Sequence, residues 1–313
     1  MVKIKTITFF NHPVFGSKTF DFTINNIAAD NIIFAGENGS GKTILLEELY
    51  NAVSRDFSVG DNRSNNISYA VLVDISDEEY YSSDNDQVKI DEVILKISKD
   101  GKIISHCEAL FKKDENIFIK VKKRGSVSDL HMFKINGLYS NVDVNYKPRR
   151  NIDGVTNQTL DLDKNYLSDD LAYDITQLLV DISMQDDSGV AVWLKDHNLS
   201  IDIPDNLQWP RMKRFTNAFK YIFGDKIDFY RIESNSIPTF KKNGNSIDLS
   251  SMSSGEKQII FRGVYLLKNI NSLKGVPVFI DEPEISMHPK WEDKIFDYYK
   301  NIFSDNDSQT SQI

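Results

Sequence analysis

One cysteine occurs in 313 residues, so Cys107 forms no intrachain disulfide and the chain offers no thiolate cluster for zinc. It reads as a small core residue. The five histidines, His12, His106, His131, His197 and His288, fall at no metal-ligand spacing, and His12 and His288 read as turn or interface residues. No apolar run is long enough to span a bilayer, and Met1-Val2-Lys3-Ile4-Lys5 opens an amphipathic strand rather than a signal peptide. A soluble, cytoplasmic protein with no membrane partner is expected. No heptad is sustained over many turns, which excludes a long coiled coil. Positive charge is in deficit, with 37 Lys and Arg against 46 Asp and Glu, a net charge of -9 and a pI near 5.1, which excludes a protein that coats nucleic acid with its whole surface. Three local basic clusters remain, at Lys120, Lys122, Lys123 and Arg124, at Lys147, Arg149 and Arg150, and at Arg211, Lys213 and Arg214. Each reads as a solvated face or hairpin tip, with nucleic-acid contact as the alternative.

What the chain does contain is Gly36-Glu37-Asn38-Gly39-Ser40-Gly41-Lys42-Thr43, which fits G-x-x-x-x-G-K-[ST]. Asn31-Ile32-Ile33-Phe34-Ala35 before it predicts an apolar strand. Leu45, Leu46, Leu49 and Val53 after it recur at helical spacing. Glycines let such a loop curl with its N–H groups inward, and the following helix adds the positive end of its dipole, so phosphate oxygens are cradled. Lys42 supplies a mobile charge for the β and γ phosphates, and the Thr43 hydroxyl can ligate a Mg²⁺ that bridges them. The site therefore calls for ATP and Mg²⁺.

A hydrophobic content of 40% can bury a substantial core, suited to one large domain or two interleaved lobes. Lys3 to Phe22 alternates in two stretches separated by Asn11-His12-Pro13, which predicts two paired strands. Short strands then dominate from Ser68 to about Tyr146, at Val71 to Ile75, Val88 to Ile97, Ile103 to Leu110, Ile117 to Val121 and Met132 to Ile135. Lys99-Asp100-Gly101-Lys102 forms a hairpin among them. The acidic stretch from Asp77 to Asp86 reads as an exposed loop. Leu167, Leu171, Ile175, Leu178, Leu179 and Ile182 mark one helix. Met212, Phe215, Phe219 and Ile222 mark another that stops at Gly224. Asn243-Gly244 makes a further hairpin. The expected organisation is an N-terminal half-core over 1–60, an antiparallel β lobe over 61–165, a helical subdomain over 166–235 and the rest of the core over 236–313.

Two distal motifs complete the chemistry. Val276-Pro277-Val278-Phe279-Ile280-Asp281-Glu282 is an apolar strand ending in two carboxylates. Asp281 is suited to hold Mg²⁺ through its water shell, and Glu282 to orient and deprotonate the attacking water. Ser253-Ser254-Gly255-Glu256 opens a helix carrying Ile260, Val264 and Leu267, which gathers hydroxyls and free N–H groups into a second anion site. Taken alone, that Ser-x-x-Glu spacing is a capping box.

The ordered series GENGSGKT, SSGEKQ, VFIDEPE and Ile285-Ser286-Met287-His288-Pro289 resembles the ABC-class ATPase heads of the SMC, RecF and OLD-like families, over nearly the whole chain. The resemblance implies an α/β P-loop NTPase with a mixed sheet, an antiparallel β lobe and an inserted helical subdomain. It also implies a head-to-head homodimer or higher oligomer, in which Ser253, Ser254, Gly255 and Glu256 of one copy contact the γ-phosphate held by Gly36, Asn38, Gly39, Ser40, Gly41, Lys42 and Thr43 of the other. Ser286 to Pro289 resemble the segment that crosses that interface. Such heads sense Mg²⁺ with a glutamine, for which Gln158 is preferred over Gln87. They also carry a histidine on a strand that would begin where this chain stops, at Ser308 to Ile313, so either the chain is part of a longer protein or the switch is supplied differently. Ile7-Thr8-Phe9-Phe10-Asn11-His12-Pro13 and the short body resemble Septu-type and retron-associated anti-phage ATPases. That likeness implies a nuclease partner, as subunit or fused domain, and contact with DNA or a retron RNA–DNA. The alternatives are the ATPase half of an OLD-like nuclease and a DNA repair or chromosome-binding head.

Overall fold

Period-two alternation builds the first unit around a sheet. Ile67, Tyr69, Val71 and Val73 of β5 (Asn66–Asp74) and Val93, Leu95 and Ile97 of β8 (Glu92–Asp100) turn inward on alternate positions. In β1 (Lys3–His12) a register shift between Ile4 and Thr6 changes the phase, so Ile4 and then Ile7 and Phe9 join the same core. With β2 (Gly16–Asp21), β9 (Ile103–Asp114) and β10 (Ile117–Ile119) these strands form an antiparallel sheet in the order β10-β9-β8-β5-β1-β2. Asp100 pairs with Ile103 at the predicted hairpin.

The computed structural model describes residues 2–54, 66–75, 80–82, 87–88, 91–100, 103–114, 117–119, 121–122, 138–140, 171–197, 204, 210–233, 236–267, 277–284, 287–303 and 312. The expected strand at Met132 to Ile135, the acidic residues Asp77, Glu78, Glu79, Asp84 and Asp86, Leu167 and most of the first two basic clusters lie outside them, while Tyr80–Ser82, within the expected acidic loop, form a short strand. Chain contacts divide the protein into two units, one of Met1–Tyr139, Lys274–Asp281 and Thr310–Ile313, the other of Ser140–Leu273 and Glu282–Gln309.

The first unit also holds a short hairpin, β3 (Thr23–Ile24) with β4 (Ile27–Ala28), which turns through Asn25 and Asn26 at positive φ. A small sheet combines β6 (Tyr80–Ser82), β7 (Gln87–Val88) and β11 (Val121–Lys122), and β12 (Leu138–Ser140) pairs with β16 (Val278–Ile280). Helix α1 (Lys42–Ser54) drives Leu45, Leu49, Ala52 and Val53 into the sheet's core, as its spacing predicts, and the half-buried Cys107 packs against that core. Lys99 breaks the apolar pattern on the inner face of β8. Its ammonium meets Glu48 of α1 at 2.6 Å, with both side chains buried.

The strand expected at Asn31 to Ala35 does not form: the segment joins no ladder, and Ile33 is 76% exposed. An apolar run becomes a strand only beside a partner, and both edges of β1 are already taken by β2 and β5. Gln312 does enter the sheet region. Its side-chain amide donates to the carbonyls of Ile4 and Ala29 and accepts from Ile4 N, while its own carbonyl accepts from Val278 N at 2.8 Å, tying β16 to β1.

In the second unit, α2 (Leu171–Asp196), α3 (Pro210–Phe223), α4 (Ser254–Leu266) and α5 (Pro289–Phe303) accompany a meander of β13 (Ile227–Ile232), β14 (Pro238–Lys242) and β15 (Asn245–Asp248). Ile175, Leu178, Leu179 and Ile182 of α2 and Met212, Phe215, Phe219 and Ile222 of α3 are buried at the predicted spacing. Gly224 ends α3 with φ 62°, and Asn243 and Gly244 make the β14–β15 turn at φ 50° and 82°.

The third basic cluster is not a solvated face. Arg211 is 1% exposed and Arg214 is buried as well. Asp186 of α2 accepts from Arg211 Nε at 3.1 Å and, through its other oxygen, from the backbone N–H groups of Arg211 and Met212 at 2.9 Å each. A carboxylate from another helix thus satisfies the N–H groups of Arg211 and Met212 in the first turn of α3 and pairs the guanidinium at the same time. No helix among the described residues is long and apolar enough to cross a membrane.

Candidate functional site

The loop from Gly36 to Gly41 is built by backbone conformations that only glycine adopts freely. Gly39 sits at φ 82° and Gly41 at φ 94°, and α1 begins at once with Lys42. The tight turn is closed by Ser40 N donating to Glu37 O at 3.2 Å and Leu45 N donating to Gly41 O at 2.9 Å. Gly36, Asn38, Gly39 and Ser40 are exposed, so ligand groups can reach the loop, and Thr43 lies half-buried in the first turn of α1. Lys42 folds back over the loop, its Nζ donating to Gly36 O at 2.7 Å and Glu37 O at 3.0 Å. Those are neutral acceptors. A phosphate oxygen at the same place offers a stronger, charge-assisted one.

A support under this loop had no signal in the motif itself. The β1–β2 turn places Val14 and Phe15 directly against Gly41. His12, buried at the end of β1, holds that turn: its Nδ1 accepts from Val14 N at 3.1 Å and Phe15 N at 3.3 Å, and its ring stacks on Phe15 at 4.7 Å. His12 as a turn residue was legible; its position beneath the glycine loop was not. Burial, aided by the charge of Lys99, lowers its pKa from 6.5 to about 4, so the ring stays neutral and the acceptor is kept.

In the same unit as the loop, β16 lies against α1, with Phe279 and Tyr50 in edge contact at 5.9 Å, and is followed by Asp281, which is 8% exposed. Glu282 follows, exposed, at φ 45°. A non-glycine residue held there is strained, a condition that clusters at functional sites, and the bend directs the chain away from the strand immediately after Asp281. Thr43 and Asp281 offer hydroxyl and carboxylate oxygen, the hard donors that suit Mg²⁺.

Ser253, Ser254, Gly255 and Glu256 occupy the start of α4 in the second unit. The capping box is fully formed: Ser253 Oγ accepts from Glu256 N at 3.4 Å, and Glu256 Oε2 accepts from Ser253 N at 2.9 Å. Lys242 clamps the same carboxylate at 2.8 and 3.1 Å. Burial pushes the Glu256 pKa up, but hydrogen bonds from Lys242 and Ser253 and the charge of Lys242 outweigh it, leaving the carboxyl below its ordinary value. Glu256 thus organises the loop, whereas Ser253 and Ser254 are exposed. Its reach to Lys242 on β14 was invisible in the sequence, because it depends on how β14 packs.

Gln158 and Ser286 lie outside the described residues, and Gln87 pairs with Tyr81 in the small sheet. His288 is exposed and its Nδ1 accepts from Lys290 N at 3.2 Å, which caps α5. The loop residues and Asp281 thus belong to the first unit, and Ser253 to Glu256 with Glu282 to the second.

Residues 32–313 match the family described as "AAA domain, putative AbiEii toxin, Type IV TA system". No curated protein sequence matches the chain. Among solved structures, the chain is similar to the recombination mediator protein RecF with ATP, at 10% identity and a TM-score of 0.40 over 95% of this chain and 89% of that one. It is similar also to the Smc head domain of Pyrococcus furiosus, at 12% identity and a TM-score of 0.45 over 99% of this chain and 89% of that one.

Proposed function

Because the chain belongs to this AAA-domain family of P-loop ATPases, we propose that it binds and hydrolyses ATP at the Gly36–Thr43 loop and pairs with a second copy when ATP is bound. The observation that carries this reading is the loop itself, with two left-handed glycines and Lys42 drawn over the Gly36 and Glu37 carbonyls ahead of a helix N-terminus. Backbone N–H groups of Gly39 and Gly41 receive phosphate oxygens, and Lys42 exchanges its carbonyl partners for them. Thr43 and Asp281 hold Mg²⁺, which when bound offsets the polyphosphate charge. Glu282 takes the proton of the attacking water. Gln158 is proposed as the residue that senses Mg²⁺.

Ser253 Oγ accepts from Glu256 N, which leaves its own proton free to donate to the γ-phosphate of a nucleotide on the second copy. Ser254 and Gly255 add donors at the positive end of α4, while Glu256 keeps that end in place. Nucleotide-controlled pairing then governs a nuclease acting on nucleic acid in anti-phage defence. The mention of a toxin in the family's description supports a damaging output.

Calorimetry with Mg²⁺ and ATP tests the first part: the native chain binds saturably, and Lys42→Ala binds about tenfold more weakly or worse. Light scattering tests the second: Glu282→Gln accumulates as an ATP-dependent dimer. A native protein with no affinity for ATP overturns the assignment, and a monomeric Glu282→Gln at saturating ATP overturns the pairing.

A further inference from the structure

The second unit contains a cavity of about 610 Å³ where α3 ends, the β14–β15 turn passes and α5 begins. Four lysines line it, Lys226, Lys242, Lys290 and Lys294, in a chain whose net charge is -9. Lys242 is committed to Glu256. Among the described residues no carboxylate pairs with Lys226, Lys290 or Lys294, and the one remaining acid on the wall is Asp293. The Lys294 ammonium lies over the Tyr221 ring, 5.6 Å from its centroid, so among the described residues Lys226 and Lys290 are the lining lysines whose ammonium groups have no side-chain partner, and an anion offers them one.

The cavity is not merely basic. Ile222, Phe223 and Ile227 contribute apolar surface, and Trp291 presents a half-buried indole. That ring is fixed by edge contacts with Phe223 at 5.2 Å and His288 at 6.0 Å, so it is preorganised rather than mobile. A volume in the range of small-ligand sites, roughly 300–1,000 Å³, far exceeds what a lone phosphate fills. We propose that this cavity binds a nucleoside phosphate, with the phosphate held by Lys226 and Lys290 and the base against Trp291.

The cavity is lined by residues of the second unit alone and includes none of the glycine loop. The same ligand chemistry comes from a free nucleotide or from the 5′-phosphorylated end of a nucleic-acid strand. Calorimetric titrations of the Lys42→Ala chain with adenosine 5′-monophosphate, with a short 5′-phosphorylated oligothymidylate and with inorganic phosphate separate these sources, with the glycine loop weakened throughout and the Lys226 and Lys290 charge reversals reporting on the cavity. Saturable binding of the mononucleotide assigns a free nucleotide. Binding of the oligonucleotide alone assigns a strand end. In either case, Lys226→Glu with Lys290→Glu, both on exposed side chains, weakens binding about tenfold or more. Trp291→Ala weakens the base-bearing probes while leaving any inorganic phosphate binding unchanged. Absence of binding by both nucleotide probes at millimolar concentration, binding indifferent to the charge reversals, or inorganic phosphate binding as tightly as the mononucleotide overturns the proposal.

Discussion

Phe15 lies so close to Gly41 that a Cβ at Gly41 would stand 2.9 Å from its ring. The glycine that closes the phosphate loop is therefore fixed twice, by its positive φ and by the turn beneath it. That turn is in turn fixed by His12, whose Nδ1 takes the N–H groups of Val14 and Phe15.

Gly41→Ala should lower stability by about 1–3 kcal/mol, through a strained φ and the collision with Phe15, and should weaken ATP binding by about tenfold or more. Adding Phe15→Ala removes the closest contacts but neither the 3.0 Å approach of Val14 nor the φ cost, so it restores only part of the loss. Thermal melts and ATP titrations of the three proteins check this. Full recovery in the double variant would show that backbone conformation contributes nothing.

Acid should destabilise the protein through His12. Its folded pKa is about 4 against an ordinary 6.5, so between those values the unfolded chain binds a proton that the folded chain refuses. The contribution is intact above pH 6.5, declines as pH falls toward about 4 and levels below that. His12→Asn, whose side-chain oxygen can still accept from the turn, should flatten this part of the curve in denaturant titrations across pH. A slope unchanged by the substitution assigns the acid sensitivity elsewhere.

Lys99 and Glu48 form a buried ion pair that joins sheet to helix. Breaking it with Lys99→Ala leaves a buried carboxylate and should cost about 3–5 kcal/mol, whereas Lys99→Met with Glu48→Leu should come close to neutral. Urea unfolding of both variants separates the two cases. A double variant as unstable as the single one would mean that the pair itself, not the stranded charge, carries the energy.

Gly263 of α4 faces Tyr298 of α5, and a Cβ there would collide with the tyrosine hydroxyl, which donates to Ile259 O at 2.8 Å. Gly263→Ala should cost about 1–3 kcal/mol by overpacking, and Tyr298→Phe in the same chain should recover part of it, since Ile302 still stands 2.9 Å from the new Cβ. A double-mutant cycle with no coupling would place the close approach elsewhere.

The features legible in the chain are those whose physics closes within a few residues. The glycine loop, the Ser253 and Glu256 cap, the Asn243-Gly244 turn and the stop at Gly224 each depend on local φ or on a hydrogen bond three residues away. Apolar periodicity likewise gives α1 and α3 their buried faces. Asn31 to Ala35 misled because apolar character alone cannot supply a ladder partner, and Arg211 misled because its neutralising acid lies on another helix.

By itself, then, the order of residues determined a glycine-rich bend, a capped helix start and an alternating sheet, since these follow from torsions and short-range bonds. Only the packed chain decided that Phe15 supports Gly41, that Lys242 clamps Glu256, that Asp186 buries Arg211 and that Gln312 reaches back to Ile4. These pairings bring together groups far apart along the backbone. Their partners become defined when burial removes water as the competing one.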